Sequence, residues 1–359
     1  MIYLGASRTN IPSIAGIWKD NLHSFLFDVR KKSVPVKDGR KTISSHKTYY
    51  DMMEGQVDYR YKRRKIKAKD RDWVKRLLSY FKTHFDEIIL ADENEMTNII
   101  AYYLTEIKGR KKSVQNIFGK LMTDLYDAFR KYKDLKLGIS YSHKFFNMLD
   151  IRTCPYCNRQ YTFTLDEKNA KTAPEYDHFY DKADYPILAV SFYNLIPSCH
   201  TCNHIKGRKK TVKLNPYFAG FESNFVLLDN MGSTMNKAEI LKQGGGKLAL
   251  KKSDGTDSVV DNGNIETFGL KGLYDLHEDY VSDIVEKVVA YDSTVQQALA
   301  NAFQGPAYHP QMVYDFVWGK YLGESQFEKR PLSKLTRDIL EQMGIKKNIT
   351  ALSYEKSYL

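Results

Sequence analysis

The 359-residue chain contains four cysteines, Cys154, Cys157, Cys199 and Cys202, which form two Cys-x-x-Cys pairs. A pair on a tight turn presents two sulfurs to one side, and two such pairs complete a tetrahedral site for Zn2+. Four sulfur ligands leave no open coordination position, so the metal they imply is structural. Two other readings of the pairs stay open here: inert buried thiols, and redox chemistry at Cys154-Pro-Tyr-Cys157. The redox reading wants a helix start after a strand in a βαβ unit. That context is missing, and the second pair would go unexplained.

Between the pairs lie Asp177-His178 and, sixteen residues after His178, Asn194 in Phe-Tyr-Asn-Leu-Ile-Pro. Asn203 follows the last cysteine directly, and Lys206 comes three residues later. An imidazole can deprotonate water near neutral pH. Carboxylate and amide oxygens suit a hard divalent ion such as Mg2+ or Mn2+. Metal-assisted hydrolysis of a phosphodiester uses both kinds of group. Each residue alone has an ordinary structural explanation; their order inside a cysteine frame gives them weight. Arg159 and Glu175 flank this stretch and receive no role, and His277 and His309 read as packing or capping residues.

Residues 154–210 resemble the HNH endonucleases, whose ββα-metal fold carries an Asp-His on its first strand, an Asn in the connecting loop and a ligand on its helix, often within two Cys-x-x-Cys pairs. The resemblance implies His178 as general base, Asp177 and Asn203 as ligands of a catalytic Mg2+ or Mn2+, and Asn194 as the residue that holds the loop. It also implies Lys206 as a basic group near the substrate phosphate, and Cys154, Cys157, Cys199 and Cys202 as ligands of a separate structural zinc. Asn203 stands where the family often has His; His204, one residue on, would point about 100° around the helix, so Asn203 is preferred. The wording Cys-Pro-Tyr-Cys, Asp-His-Phe and Ser-Phe-Tyr-Asn-Leu-Ile-Pro-Ser-Cys is similar to bacterial anti-phage HNH nucleases, including the nuclease subunit of Septu-type systems. That likeness implies an ATPase partner, and this chain has no G-x-x-x-x-G-K-[ST] loop of its own.

Helical periodicity marks residues 72–104, through Trp73, Leu77, Leu78, Phe81 and Phe85, and residues 113–133, through Val114, Ile117, Leu121, Leu125 and Phe129. Ser113 is expected as N-cap of the second helix and Gly138 as its stop. Tyr161–Leu165 reads as a strand, with Asp177–Tyr180 as its partner, and Cys199–Lys206 as a helix start. Residues 229–264, with Gly244-Gly245-Gly246 and Asp261-Asn262-Gly263, read as loops and hairpins. Leu273, Leu276, Val281, Ile284, Val285 and Val288 form one late apolar face, and Leu332, Leu335, Ile339 and Met343 another. The expected fold is α+β and mostly helical: a basic helical region at 1–149, a ββα-metal core at 150–210, and a mainly helical region at 211–359.

The net charge is +12, and residues 1–150 carry 30 Lys/Arg against 18 Asp/Glu, whereas residues 211–359 carry 16 against 19. The densest basic block is 59–71, with a second at 108–112. Such a surface suits a polyanion, because neutralised phosphates release counterions. The expected partner is DNA, most naturally double-stranded. Hydrophobic residues at 42% exclude wholesale disorder, and the lack of a long apolar run excludes a membrane span. The N-terminus lacks a secretory pattern, so the cytoplasm is the expected location. Two other functions are kept in view: a zinc-stabilised nucleic-acid binder without catalysis, and a nuclease silent until a partner activates it.

Overall fold

In a computed structural model, the described residues are 1–5, 9–28, 47–63, 65–134, 136–166, 171–208, 212–291, 293–302, 310–319 and 321–345. His309 lies outside them. Among the described residues the chain opens with seven helices: α1 (Ile11–Phe27), α2 (Tyr49–Lys62), α3 (Ala68–Thr83), α4 (Phe85–Leu90), α5 (Glu93–Ile107), α6 (Lys112–Lys131) and α7 (Tyr141–Leu149). A short hairpin of β1 (Leu165–Asp166) and β2 (Lys171–Thr172) follows, then β3 (Glu175–His178), β4 (Leu195–Ser198) and α8 (His200–Lys206). Next come β5 (Asn224–Leu228), α9 (Lys237–Gln243), β6 (Lys247–Lys251), α10 (Val259–Phe268), α11 (Leu270–Asp275) and α12 (Glu278–Ala290). The last helices are α13 (Ser293–Ala302), α14 (Pro310–Trp318) and α15 (Ser333–Gln342). The fold is therefore α+β and mostly helical, with three two-stranded antiparallel sheets among the described residues.

The helices form where apolar residues recur at three- and four-residue spacing. On α6, Val114, Ile117, Phe118, Leu121, Met122, Leu125, Tyr126 and Phe129 are all buried. Residues 72–104 divide into three helices: α3 stops at His84, and a capping box of Asp92 and Glu95 starts α5. The helix expected to be capped by Ser113 starts two residues earlier, with Lys111 as N-cap. It ends at Lys131, and Gly138 serves the turn that follows, at φ +69°. Trp18 on α1 lies at the centre of the core, edge-on to Phe129, Phe145, Tyr176 and Phe192. Its indole N–H donates to the Val190 carbonyl at 3.0 Å, and Ser191 donates to the Ile88 carbonyl at 2.6 Å. These bonds fasten the helices to the connection between β3 and β4. One contiguous apolar core runs through all three regions of the chain.

Three sequence expectations fail locally. Asp177-His178 does not pair with Tyr161–Leu165; β3 pairs with β4 in the register Asp177 opposite Ile196 and His178 opposite Leu195. Leu195 and Ile196 are fully buried, whereas Tyr161 and Phe163 stack on each other in solvent, so burial chose the partner. Asp261-Asn262-Gly263 lies inside α10, where Ser258 caps the first turn and Asp261 accepts from the Ser223 N–H. Leu276 is 74% exposed and does not join the apolar face of Val281, Ile284, Val285 and Val288. The triple glycine behaves as expected, with Gly244 ending α9 in the left-handed region. No helix among the described residues is long and apolar enough to cross a membrane.

Candidate functional site

The four cysteines converge. Their sulfurs all lie within 4.8 Å of one another and all four residues are buried, an arrangement able to hold a metal ion. A tetrahedron of thiolates about 2.3 Å from a metal has sulfur–sulfur edges of roughly 3.8 Å. The 4.0 Å between Cys157 and Cys199 fits that figure, so the donor set is compatible with zinc. Cys199 is the N-cap of α8 and its sulfur accepts from the Cys202 N–H.

The other knuckle depends on Asn158, which adopts φ +48°, a conformation Asn tolerates better than most residues. Its side-chain amide donates to the carbonyls of Phe327 and Arg330, and its oxygen accepts from the Lys334 N–H. The Asn158 carbonyl accepts from Leu332 N–H. The metal knuckle is thereby tied to the start of α15. Tyr274 donates its hydroxyl to the Cys157 carbonyl, adding a second tie. His277, expected to pack or cap, accepts from Arg159 at 2.9 Å and sits at the N-cap of α12.

The β3–β4 hairpin runs into α8, so Asp177-His178, Asn194, Asn203 and Lys206 all belong to one ββα unit. Alternation along β3 sends neighbouring side chains to opposite faces. Glu175 and Asp177 face α8; Tyr176 and His178 face the N-terminal helices.

Toward α8, Asp177 is buried and both its oxygens are engaged: the Tyr156 hydroxyl donates to one at 2.7 Å and the Lys206 ammonium to the other at 2.9 Å. Lys206 also donates to the His178 carbonyl at 2.5 Å. Burial pushes the Asp177 carboxyl up, and Lys206 and Tyr156 oppose that rise. Asn203 turns to Glu175, donating at 2.6 Å, and His200 meets the same carboxylate at 2.8 Å. Asp177 and Asn203 are each engaged elsewhere, so in this conformation they do not fit a shared divalent ion.

On the other face, His178 is buried edge-on against the Tyr126 ring of α6, 4.7 Å between centroids. Burial, with the Lys182 charge beside it, pushes the imidazole down to about 3, so the ring is neutral at physiological pH. Its Nε2 meets the Ala189 carbonyl at 3.0 Å. A carbonyl only accepts, so Nε2 carries the hydrogen and Nδ1 keeps the lone pair. Asn194 is fully buried and closes the connecting loop: its oxygen accepts from Tyr180 N–H, and its amide donates to the carbonyls of Tyr180 and Leu188. That is a loop-holding role.

Sequence reasoning passed over Glu175, His200, Tyr156 and Tyr126. Two of these had a readable signal. Glu175 lies two residues before Asp177 and so shares its face, and His200 and His204 lie four apart on one helix face, their rings 5.9 Å apart. Tyr126 and Tyr156 carried none, because their contacts depend on tertiary packing. Comparison with protein-family models, curated proteins and solved structures finds no match.

Proposed function

We propose that the chain is a phosphodiester hydrolase of the HNH type, acting on DNA, with a structural Zn2+ on its four cysteines. The observation that supports this most is the single ββα unit. Its first strand ends in Asp177-His178, Asn194 pins the connecting loop, and its helix starts inside the cysteine cluster and carries Asn203 and Lys206. His178 keeps on Nδ1 the lone pair a general base needs, but burial makes it too weak a base for water in the closed state, so the reading requires the ring to be hydrated and returned toward the ordinary imidazole range. Lys206 is suited to a substrate phosphate once released from Asp177. Only with Lys206 drawn off Asp177 and Asn203 off Glu175 would these two residues hold Mg2+ or Mn2+, which would neutralise charge on the scissile phosphate.

A second reading is favoured by a specific observation: the site is closed. Lys206 holds Asp177, Glu175 holds Asn203, and Tyr126 covers His178. Opening needs the ion pair broken and α6 shifted, work that a partner subunit such as an ATPase could supply. The protein is then a nuclease silent until activated. Its role in anti-phage defence belongs to the same proposal.

The test is plasmid cleavage with Mg2+, with Mn2+ and with neither, run beside His178→Ala and Tyr126→Ala. Metal-dependent cleavage lost in His178→Ala supports the hydrolase. Cleavage by Tyr126→Ala alone supports the silenced form. Intact plasmid with every protein, while DNA is still bound, rejects a hydrolase active on its own and leaves the non-catalytic binder and the partner-activated nuclease, which cleavage on adding a partner separates.

A further inference from the structure

The two basic blocks at 59–71 and 108–112, far apart in the chain, meet in space. A cavity of about 770 Å3 opens where α2 ends and α3 and α6 begin, lined by Arg60, Lys62, Lys65, Lys67 and Lys111, with Asp70 as its one carboxylate. None of these five cations enters an ion pair among the described residues. Two acids close by in the sequence are committed elsewhere, Asp58 to Lys75 at 2.9 Å and Asp72 to Arg71 at 2.8 Å. Five like charges around one hollow repel each other, and an anion in the hollow relieves that repulsion. The positive ends of α3 and α6 point the same way, since both helices start at this cavity with Lys at the N-cap and no side chain closing the first turn.

We infer that this cavity binds the phosphate backbone of a nucleic acid, at a place separate from the ββα unit. Lys62, Lys65, Lys67 and Lys111 are exposed and Arg60 is half-buried, so their heads stay hydrated. Hydrated, mobile cations suit a run of backbone phosphates, whereas a single small anion is better held by desolvated groups. The position fits the same reading. α6 starts at the cavity and carries Tyr126, which covers His178. Fourteen residues of helix separate Lys112 from Tyr126, about 21 Å at 1.5 Å per residue. That is the length of about six base pairs at 3.4 Å each. One duplex is therefore long enough to reach both places, so the cavity serves as an anchor for the substrate class proposed above and rests on that proposal for its purpose, though not for its test.

The test is binding rather than cleavage. A fluorescein-labelled DNA duplex is titrated, without added Mg2+, into the wild type and into the triple variant Lys65→Glu, Lys67→Glu, Lys111→Glu, across a salt series. The control is Lys237→Glu, Lys242→Glu, Lys287→Glu, which changes net charge equally on α9 and α12. The cavity variant should bind at least about tenfold more weakly, and its slope of log affinity against log salt should fall by about 2–3, near 0.9 for each phosphate that is no longer neutralised. The control should keep the wild-type slope. Equal losses in both variants would reduce the effect to net charge and overturn the inference. So would a cavity variant indistinguishable from wild type, or inorganic triphosphate binding the wild type while duplex binding is unaffected by the cavity substitutions. If no protein cleaves DNA but the cavity variant alone loses duplex binding, a hydrolase active on its own is ruled out and the anchor stands.

Discussion

The Asp177–Lys206 pair offers a prediction that can be worked from the structure. Their side chains are 5% and 2% exposed, and the ion pair is 2.9 Å long. Replacing Lys206 by Met keeps most of the unbranched apolar stem and removes the charged head. Asp177 is left with only the Tyr156 hydroxyl, and the His178 carbonyl loses its ammonium donor. Breaking one side of a buried pair costs about 3–5 kcal/mol, because the remaining charge stays buried without compensation. With roughly 2.1 cal/mol/K of unfolding entropy per residue, a chain of this length loses about 4–7 °C of Tm. Lys206→Met combined with Asp177→Asn removes both charges while the amide oxygen still accepts from Tyr156. The double variant should therefore recover at least about 2 kcal/mol of the single loss, since replacing both members of a buried pair is often close to neutral. Thermal and urea unfolding of the four proteins, without added Mg2+, reads this cycle directly. Additive losses would refute the reasoning, as would a Lys206→Met variant as stable as wild type. Either result would mean that Lys206 leaves Asp177 in solution and that the site is not closed by this pair.

Three further outcomes follow. The purified protein should carry one zinc per chain, and Cys202→Ser should lose the metal and unfold well below the wild-type temperature, because metal binding at such sites is folding free energy of about 10 kcal/mol or more; elemental analysis beside a melt checks both. Asn158→Ala should cost about 3–5 kcal/mol, combining left-handed strain with stranded partners at Phe327, Arg330 and Lys334. Asn158→Gly, free of the strain, should recover about 1 kcal/mol of that, and equal melts for the two would refute the conformational part. The Lys144 hydrogen bond, at 2.7 Å, leads the backbone N–H bonds in holding the Asp134 carboxyl down to about 2 from 3.8. A lowered carboxylate contributes stability above its unfolded value and loses it as pH falls, so the gap between wild type and Lys144→Met, about 1 kcal/mol, should be full at neutral pH and close between 3.8 and about 2. A gap constant down to acid pH would contradict it.

What the sequence made legible was periodic or covalently spaced. α6 could be read from its apolar residues because a helix buries one stripe, and that stripe recurs every three or four positions. The cysteine cluster could be read because each pair is local, and only the joining of the two pairs required the fold. The pairing of β3 could not. Tyr161–Leu165 had the stronger strand composition, but strand composition reports a pleated, half-buried surface and not a partner. Leu195 and Ile196 won because the core under Trp18 needed them. Asp261-Asn262-Gly263 was misread for a related reason: these residues favour turns when nothing else fixes them. Here Ser258 and the Ser223 N–H supply Asp261 with the partners it would otherwise find in a turn.

The site divides along the same line, and the division bears on mechanism. Asp177, His178, Asn194 and Asn203 could be picked out by type and order, yet order cannot say which faces they occupy. Adjacent residues on a strand point to opposite sides, so Asp177 goes to α8 and His178 to α6, and each meets a different restraint. Lys206 blocks one face from within the ββα unit, and Tyr126 blocks the other from the helical region. Relief of either restraint alone leaves the other half of the chemistry shut. For the proposed hydrolase, two independent locks on two faces of one hairpin mean that both must open, though not through the same agent. A phosphate backbone arriving between them could draw Lys206 off Asp177 by offering it a better-solvated anion, but it has no such hold on the Tyr126 ring. Under the proposed function, the substrate would then release the α8 face, and release of the α6 face would fall to a partner.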